Sequence, residues 1–190
     1  LNGKPAGLYV TKEDYSEDFL KRWFKDTDGN LYDIHPGRDV SEQMRLDSGN
    51  GPTNWMDLKA AAEACRERDP ALGWEKLQKT VDMDRFLPFL VFETLSSHWD
   101  GYSNARNNFR IYSDPASGRL VFIPSDTDQT FREPGRDVYH PGEKGLVGQA
   151  VMKTPEGRRR YYQAVEHMAK DIYRLDALTN RVLETAARIR

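Results

Sequence analysis

The apolar residues of the chain recur at steps of three or four along much of its length. This period occurs over residues 55–65 and 74–81, and it predicts two helices that each bury one face. From about Asp84, which we expect to be an N-cap, to Trp99 the apolar residues surround the predicted helix on nearly all sides. We therefore expect this third helix to lie at the centre of the protein.

Shorter helical patterns occur near both ends of the chain. The stretch EDFLKRWF, residues 17–24, predicts a short helix with an apolar face. Near the end, Thr154 and Pro155 are suited to the N-cap and first turn of a helix. Apolar stripes follow over residues 161–172 and 175–189, and we expect both stripes to pack into the core.

Alternating and β-rich runs predict a few strands. The stretch from Gly7 to Glu13 alternates apolar and polar residues behind an Asn-Gly turn, and TDGNLYDI supplies another turn and short strand. NFRIY and RLVFI are joined by the turn residues SDPASG, which predicts a β-hairpin. Residues 36–53 are rich in Gly, Asp, Ser and Asn without a period, so we expect a surface loop.

Together these elements predict an α+β fold. We expect a strand-helix-strand unit over residues 1–35, a loop over 36–53, and a mostly helical unit over 54–190 that carries a hairpin within 98–131.

Composition excludes several classes of partner and site. The chain has 190 residues with 28 Lys and Arg against 30 Asp and Glu, a net charge of −2, which gives no long-range attraction to nucleic acid. The single cysteine, Cys65, excludes an internal disulfide framework. No apolar run reaches the roughly 18 residues of a membrane span, so we expect no membrane span in this chain.

Polar side chains stand at the two open ends of the predicted hairpin. Asp100 precedes its first strand, Asn107 and Asn108 open that strand, and Asp126 and Asp128 follow its second strand. A tight hairpin should bring these residues together as a cluster of carboxylates and carboxamides. Such hard oxygen ligands are the kind that Mg²⁺ or Mn²⁺ prefers.

A protein kinase uses the same parts in the same chain order. A buried helix leads to a loop Asp that orients the acceptor hydroxyl, an Asn a few residues later binds metal, and a second Asp beyond a hairpin binds the metal that bridges the nucleotide phosphates. In this chain HWDGYSNARNN would form the catalytic loop, and SDTD would carry the second Asp.

Four segments in this order carry a family resemblance: NGKPAGLYVTKE, GNLYDI, HWDGYSNARNNFRIY and FIPSDTDQTF. With the later TPEGRRRYY helix, they resemble the spore coat protein H (CotH) family of atypical, secreted or surface-associated protein kinases. The resemblance implies an atypical kinase-like fold, in which residues 1–35 form what remains of the N-lobe and residues 54–190 form the C-lobe. It also implies that ATP with Mg²⁺ or Mn²⁺ is the cofactor, that the acceptor is Ser or Thr of a protein, and that the location is extracellular or in the cell envelope.

The resemblance also assigns roles to single residues. Asp100 matches the catalytic-loop Asp, Asn108 the metal-binding Asn with Asn107 as the alternative, and Asp126 the metal-binding Asp, with Asp128 as a supporting ligand.

Three features near the start of the chain complete the comparison with the family. Glu13 stands where the family carries a Glu after a GLY strand, so we expect it near the nucleotide or paired with a phosphate-binding lysine. Asp33 stands where the family commonly has a cation, which argues against a phosphate contact there. The family's upstream lysines and Arg-Gly stretch have no counterpart before Leu1, so we expect this chain to be part of a longer kinase.

Two other functions are compatible with the same residues. A glycosyltransferase could use Asp126-Thr127-Asp128 as an Asp-x-Asp motif that holds a metal on a nucleotide sugar, although it has no need of Asp100 and Asn108. A non-catalytic structural module could keep the fold without the chemistry.

The remaining motifs have simpler explanations. We expect His98 to satisfy carbonyl groups at the end of its helix, and we expect no role for His35, His140 or His167, which lack zinc-like spacing. The arginines of GRRRYY are interpreted as a solvated helix face in an acidic chain.

Overall fold

The computed structural model describes residue 3 and residues 12–33, 35–133 and 135–189, and these form an α+β fold as predicted. The predicted strand at 7–13 falls mostly outside the described residues. The helices are α1 (Glu17–Trp23), α2 (Met56–Arg66), α3 (Pro70–Thr80), α4 (Met83–Leu95), α5 (Tyr102–Ala105), α6 (Leu146–Lys153), α7 (Pro155–His167) and α8 (Leu175–Ile189). The strands are β1 (Leu31–Asp33), β2 (Arg45–Ser48), β3 (Phe109–Asp114) and β4 (Arg119–Pro124). A 3₁₀ turn (Thr127–Gln129) follows β4, and a π turn (Met168–Ile172) follows α7.

The four strands form one antiparallel sheet in the order β2-β1-β3-β4. The predicted hairpin is confirmed, since β3 and β4 pair in register from Phe109–Pro124 to Asp114–Arg119. Its turn ends at Gly118, whose φ of +67° is the left-handed conformation that glycine adopts at least cost.

The prediction of a loop without regular structure over 36–53 is wrong at β2. This strand pairs with β1, and its own side chains are mostly exposed. Its sequence has no alternation of apolar and polar residues, because backbone pairing with β1, and not burial of side chains, holds this strand in the sheet. Strands from residues 31–33, 45–48 and 109–124 therefore share one sheet.

The two faces of the sheet pack against different helices. On one face Tyr112, Val121 and Ile123 pack with Leu20 and Phe24 from the α1 region. On the other face the strands join the main core, which is built with α2, α3, α4, α6 and α7. The sheet is thus the layer between a small cluster and a large one.

Helix α4 lies at the centre of the main core, as predicted. Phe86 and Leu90 are fully buried, and residues on most sides of the helix are inaccessible. The N-cap is Asp82 rather than the predicted Asp84: the Asp82 carboxylate accepts from the Arg85 N–H, and Asp84 lies in the first turn. Pro88 lies within the helix on its exposed side.

The C-terminal helices follow the sequence only in part. The Thr154 hydroxyl accepts from the Gly157 N–H at 2.9 Å and caps α7, as predicted, and Tyr161 and Val165 of that helix are buried. The prediction that residues 175–189 pack into the core is wrong. Helix α8 forms, yet none of its described side chains is buried, including those of its apolar stripe: Leu175, Leu178, Val182 and Ile189.

Across the described ranges, no helix has both the length and the apolar character that crossing a bilayer requires.

Candidate functional site

The site residues predicted from the sequence meet at the open end of the hairpin. Asp100 lies in the loop between α4 and α5, and its two carboxylate oxygens accept from two carboxamides. Asn107 Nδ2 donates to Asp100 Oδ1 at 3.1 Å, and Asn108 Nδ2 donates to Asp100 Oδ2 at 3.0 Å. The structure therefore brings both candidate asparagines onto the same carboxylate.

Asp126 reaches the same end of the sheet from the other strand. The Ser125 N–H donates to the Asn108 carbonyl at 2.9 Å, which extends the pairing of β3 and β4 by one step. Asp126 is the next residue, and Asp128 follows within the 3₁₀ turn; both side chains are exposed. The Asp128 carboxylate accepts from Gln129 Nε2 at 2.8 Å.

His98 is buried beside these acids. Burial lowers the pKa of its imidazole, and the charges of Asp100, Asp128 and Asp126 oppose that shift. The prediction that its ring satisfies helix carbonyls is not met, because neither ring nitrogen has a hydrogen-bond partner among the described residues. The lowered pKa favours the neutral imidazole at this buried position.

Glu93, which the sequence reasoning missed, fixes this loop from below. Its fully buried carboxylate accepts from the N–H groups of Tyr102 at 2.6 Å and Ser103 at 2.9 Å, which begin α5. Burial raises the pKa of Glu93 to about 7, against the lowering effect of these N–H donors. A side chain at position 101 would overlap the Glu93 carboxylate and the His98 ring, so only glycine fits there. The feature of the sequence that could have pointed to Glu93 was its charged side chain within the otherwise apolar run of α4.

Further contacts tie α5 to the helical core. The Tyr102 hydroxyl donates to Asp39 at 3.2 Å and accepts from the Val147 N–H at 2.9 Å. Asp39 also accepts from the Leu146 N–H at 2.8 Å, and its burial raises the pKa of its carboxyl group. Asn104 donates to the His98 carbonyl at 2.9 Å. The loop that carries Asp100 is therefore held on several sides.

Left-handed backbone is concentrated around the site. Of the six non-glycine residues with positive φ among the described residues, all but Trp55 lie between residues 97 and 131. These five are Ser97, Arg106, Asn108, Asp126 and Phe131. Each such conformation costs on the order of 1 kcal/mol, and less for Asn and Asp, so the fold maintains strain at this location.

Glu13 lies at the start of the segment that leads into α1. Its carboxylate is partly exposed and forms an ion pair with Arg22 of α1. Two residues later, the Tyr15 hydroxyl donates to the Pro124 carbonyl at 2.7 Å, and the ring packs under the Arg110 guanidinium at 4.8 Å. The segment that carries Glu13 therefore runs beside the end of β4, next to Asp126.

Several side chains at the hairpin end could supply the oxygen ligands that Mg²⁺ or Mn²⁺ prefers. The Nδ2 groups of Asn107 and Asn108 donate to Asp100, so their carboxamide oxygens could act as ligands together with Asp126 and Asp128. No group of three or more His, Cys, Asp or Glu residues suited to a metal ion occurs within the part of the chain described here. Asp100, Asp126 and Asp128 therefore do not form a three-acid site, and the expected ligand set of Asn108, Asp126 and Asp128 contains two acids.

Asp33, His140 and His167 are held by other contacts. Asp33 pairs with Arg45 and with Arg110, the latter at 3.3 Å, so its carboxylate belongs to a charge ladder across the sheet. His140 contacts Asp137 at 2.6 Å and His167 contacts Asp171 at 2.8 Å, both on the surface.

The arginines of the GRRRYY segment are largely paired. Arg159 contacts Glu156, Arg160 contacts Asp84 at 2.5 Å, and Arg158 donates to the Met152 carbonyl at 2.8 Å. They stabilise α7 and its neighbours.

Comparison with known proteins identifies relatives over the whole length. The family model described as CotH kinase protein matches residues 1–190. Invasin CotH2 of Rhizopus delemar is 27% identical over 96% of this chain and 36% of its own length. Invasin CotH3 of the same organism is 40% identical over 54% of this chain and 19% of its own length. Inner spore coat protein H of Bacillus subtilis is 21% identical over 100% of this chain and 57% of its own length. The chain thus spans about a third of the length of the first of these relatives.

Proposed function

The chain belongs to the CotH kinase protein family, and from this premise we propose that it forms the phosphotransfer part of a protein kinase. In this proposal it transfers phosphate from ATP, with Mg²⁺ or Mn²⁺, to Ser or Thr of an acceptor protein. The kinase-like arrangement would place residues 1–35 in the N-lobe and residues 54–190 in the C-lobe. Because its relatives are named as spore coat and invasin proteins, we place the acceptor at a cell surface or envelope.

The observation that carries the proposal is the pair of contacts on Asp100. The two carboxamide donors fix both oxygens of the carboxylate, at 3.1 and 3.0 Å, at the end of the hairpin that also presents Asp126. An oriented carboxylate with lone pairs to spare can accept the proton of an acceptor hydroxyl, or position that hydroxyl for attack. In phosphoryl transfer the protein contributes mainly this positioning and the electrostatic stabilisation of the transferred phosphate.

The other residues would serve the nucleotide. Asn108, Asp126 and Asp128 would hold the metal ion, which when bound neutralises charge on the phosphates. Tyr15 and Glu13 lie on the segment beside Asp126 and would border the nucleotide. His98 and Glu93 would keep the Asp100 loop in place.

Asparagine variants test these roles, because Asn keeps the shape of Asp and tolerates the left-handed backbone at Asp126. Asp126→Asn should weaken metal-dependent ATP binding at least about tenfold, the loss of roughly 1.4 kcal/mol. Asp100→Asn should leave ATP binding within about twofold and reduce phosphate transfer at least about a hundredfold. Calorimetry with ATP and Mg²⁺ or Mn²⁺ measures binding, and radiolabelled ATP with a Ser/Thr peptide library measures transfer.

Asp176→Asn on the exposed helix α8 is the matched control and should resemble the wild type. Undiminished transfer by Asp100→Asn would contradict the role of Asp100. Metal-dependent binding of UDP or GDP sugars in place of ATP would assign the glycosyltransferase alternative. Binding of no nucleotide by the folded chain would assign a structural module.

A further inference from the structure

A basic cleft lies at the opposite end of the hairpin from Asp100. It is open, has a volume of about 760 Å³, and is bordered by the end of α1, the start of α4 and the β3–β4 turn. We call it the hairpin-turn cleft. Its basic residues are Lys21, Arg22, Lys25, Arg85 and Arg119, and its acidic residues are Asp82 and Asp114.

The charge of this cleft differs from that of the whole molecule. Five cations face two carboxylates in the cleft, whereas the complete chain has a net charge of −2. Lys21 and Arg22 are paired with glutamates on or before α1, so Lys25, Arg85 and Arg119 face Asp82 and Asp114 with a net excess of one positive charge. These three cations come from distant parts of the sequence, and Asp82 and Asp114 offset only two of them.

Arg85 and Arg119 are held in place, but their guanidinium groups form no close ion pair among the described residues. Their only ion-pair contacts within the described residues are long ones to Asp82, at 3.9 Å for Arg85 and 3.8 Å for Arg119. The Arg85 guanidinium also stacks over the Phe24 ring at 5.0 Å, which fixes its plane. A guanidinium held in this way offers paired N–H donors to a carboxylate.

An exposed aromatic side chain borders the same cleft. Trp23 is 62% exposed, although its neighbour Phe24 is buried under the sheet. Exposed Trp beside Arg is the composition that protein interfaces favour at their strongest contacts. The cleft thus combines cations with an apolar surface suited to a peptide chain.

We propose that the hairpin-turn cleft docks an acidic segment of the acceptor protein. This proposal rests on the proposed kinase function, and it assigns the acceptor class: proteins with a carboxylate-rich segment separate from the phosphorylated residue. The cleft would raise the local concentration of the acceptor hydroxyl without touching the reacting atoms.

The fold sets the spacing between the two sites. Strand β4 has six residues, with Arg119 at its start, and Asp126 follows its end by two. At a rise of about 3.3 Å per residue the two ends are roughly 20 Å apart, so an extended acceptor needs at least about six residues between its acidic block and its Ser or Thr.

Binding is tested first, independently of any phosphate transfer. A fluorescein-labelled oligoglutamate peptide should bind the wild-type chain by fluorescence anisotropy, and more weakly as salt is raised. Lys25→Glu/Arg119→Glu should lose at least about tenfold in affinity, and Lys25→Gln/Arg119→Gln should lose less because it removes charge without adding repulsion. Lys59→Glu/Arg181→Glu, which changes the net charge equally at exposed sites on α2 and α8, should bind as the wild type does.

Circular dichroism confirms that each variant is folded. Equal loss in the cleft and control variants, or no binding by the wild type, would overturn the docking site. Binding of a sulfated oligosaccharide in place of the acidic peptide would overturn the choice of a protein partner.

Transfer is then measured on peptides whose acidic block lies nearer to, or farther from, a single Ser. Peptides with at least about six residues between the acidic block and the Ser should have a KM about tenfold lower than peptides with fewer. In Lys25→Glu/Arg119→Glu the KM should no longer depend on this spacing, and kcat should stay within about twofold of the wild type. An advantage that survives in the cleft variant would contradict the link between docking and transfer. If no peptide is phosphorylated while peptide binding still depends on the cleft, the kinase proposal fails and the docking site stands.

Discussion

Glu93 shows how one buried side chain controls the site at the scale of a residue. It touches none of the proposed reacting groups, yet its carboxylate accepts from the first two N–H groups of α5, and α5 begins two residues after Asp100. The ionised form is favoured by these donors and disfavoured by burial, and burial dominates, so the pKa rises from 4.5 to about 7. The site loop is thus held by a group that titrates near neutrality.

The contribution of Glu93 to stability should therefore fall as pH rises from about 4.5 to 7. The folded state retains the Glu93 proton in this range while the unfolded chain has released it, so the stabilisation present at low pH is lost as pH passes the folded pKa. The shift corresponds to on the order of 3 kcal/mol. Glu93→Gln cannot titrate, so its free energy of unfolding relative to the wild type should improve by that amount between pH 5 and pH 8.

Urea unfolding at a series of pH values measures this difference. Glu63→Gln, on the exposed face of α2, is the control and should change little with pH. A constant difference between Glu93→Gln and the wild type across the range would show that Glu93 has an ordinary pKa.

At the scale of elements, α4 and α8 both carry leucines, and the surroundings of these leucines are opposite. Leu90 of α4 is fully buried, and Leu183 of α8 is 62% exposed. Leu90→Ala should therefore cost about 2–5 kcal/mol of unfolding free energy, whereas Leu183→Ala should change it by less than about 0.5 kcal/mol. Chemical denaturation of the two variants measures both values. A loss above about 1 kcal/mol for Leu183→Ala would mean that α8 packs against the protein in solution.

The elements that the sequence predicted are those with local signals. The SDPASG turn, the Thr154-Pro155 helix start and the apolar residues of α4 each specify their own structure within a few positions. Strand β2 has no such signal, because its partner β1 lies a loop away and its side chains are mostly exposed. Helix α8 has the period of a buried helix, but period alone does not say what covers it.

In the site, too, contacts within one local element could be predicted from the sequence and contacts between distant elements could not. Asp100, Asn108 and Asp126 could be placed together from the hairpin, since a hairpin joins its own two ends. The roles of Glu93, Gly101 and Asp39 could not, because their partners come from other elements that meet only in the folded protein.

For the whole molecule, the sheet links two hydrophobic clusters into one structure. Phe24 belongs to the small cluster and Leu58 to the large one, and strands β3 and β4 contribute side chains to both. Phe24→Ala and Leu58→Ala should therefore each lower the free energy of unfolding by about 2–5 kcal/mol while unfolding stays a single transition. Tryptophan fluorescence and far-ultraviolet circular dichroism should give coincident curves in urea. An earlier fluorescence transition in Phe24→Ala would show that the outer face of the sheet unfolds separately.

The left-handed residues around the hairpin end also affect how this protein responds to engineering. Ser97, Arg106 and Phe131 hold conformations that glycine or asparagine reaches more cheaply. Selection for heat resistance alone would favour replacing them. A family member that retains these three residues would be less stable to heat than its fold allows, because the residues are kept for the shape of the loop that presents Asp100.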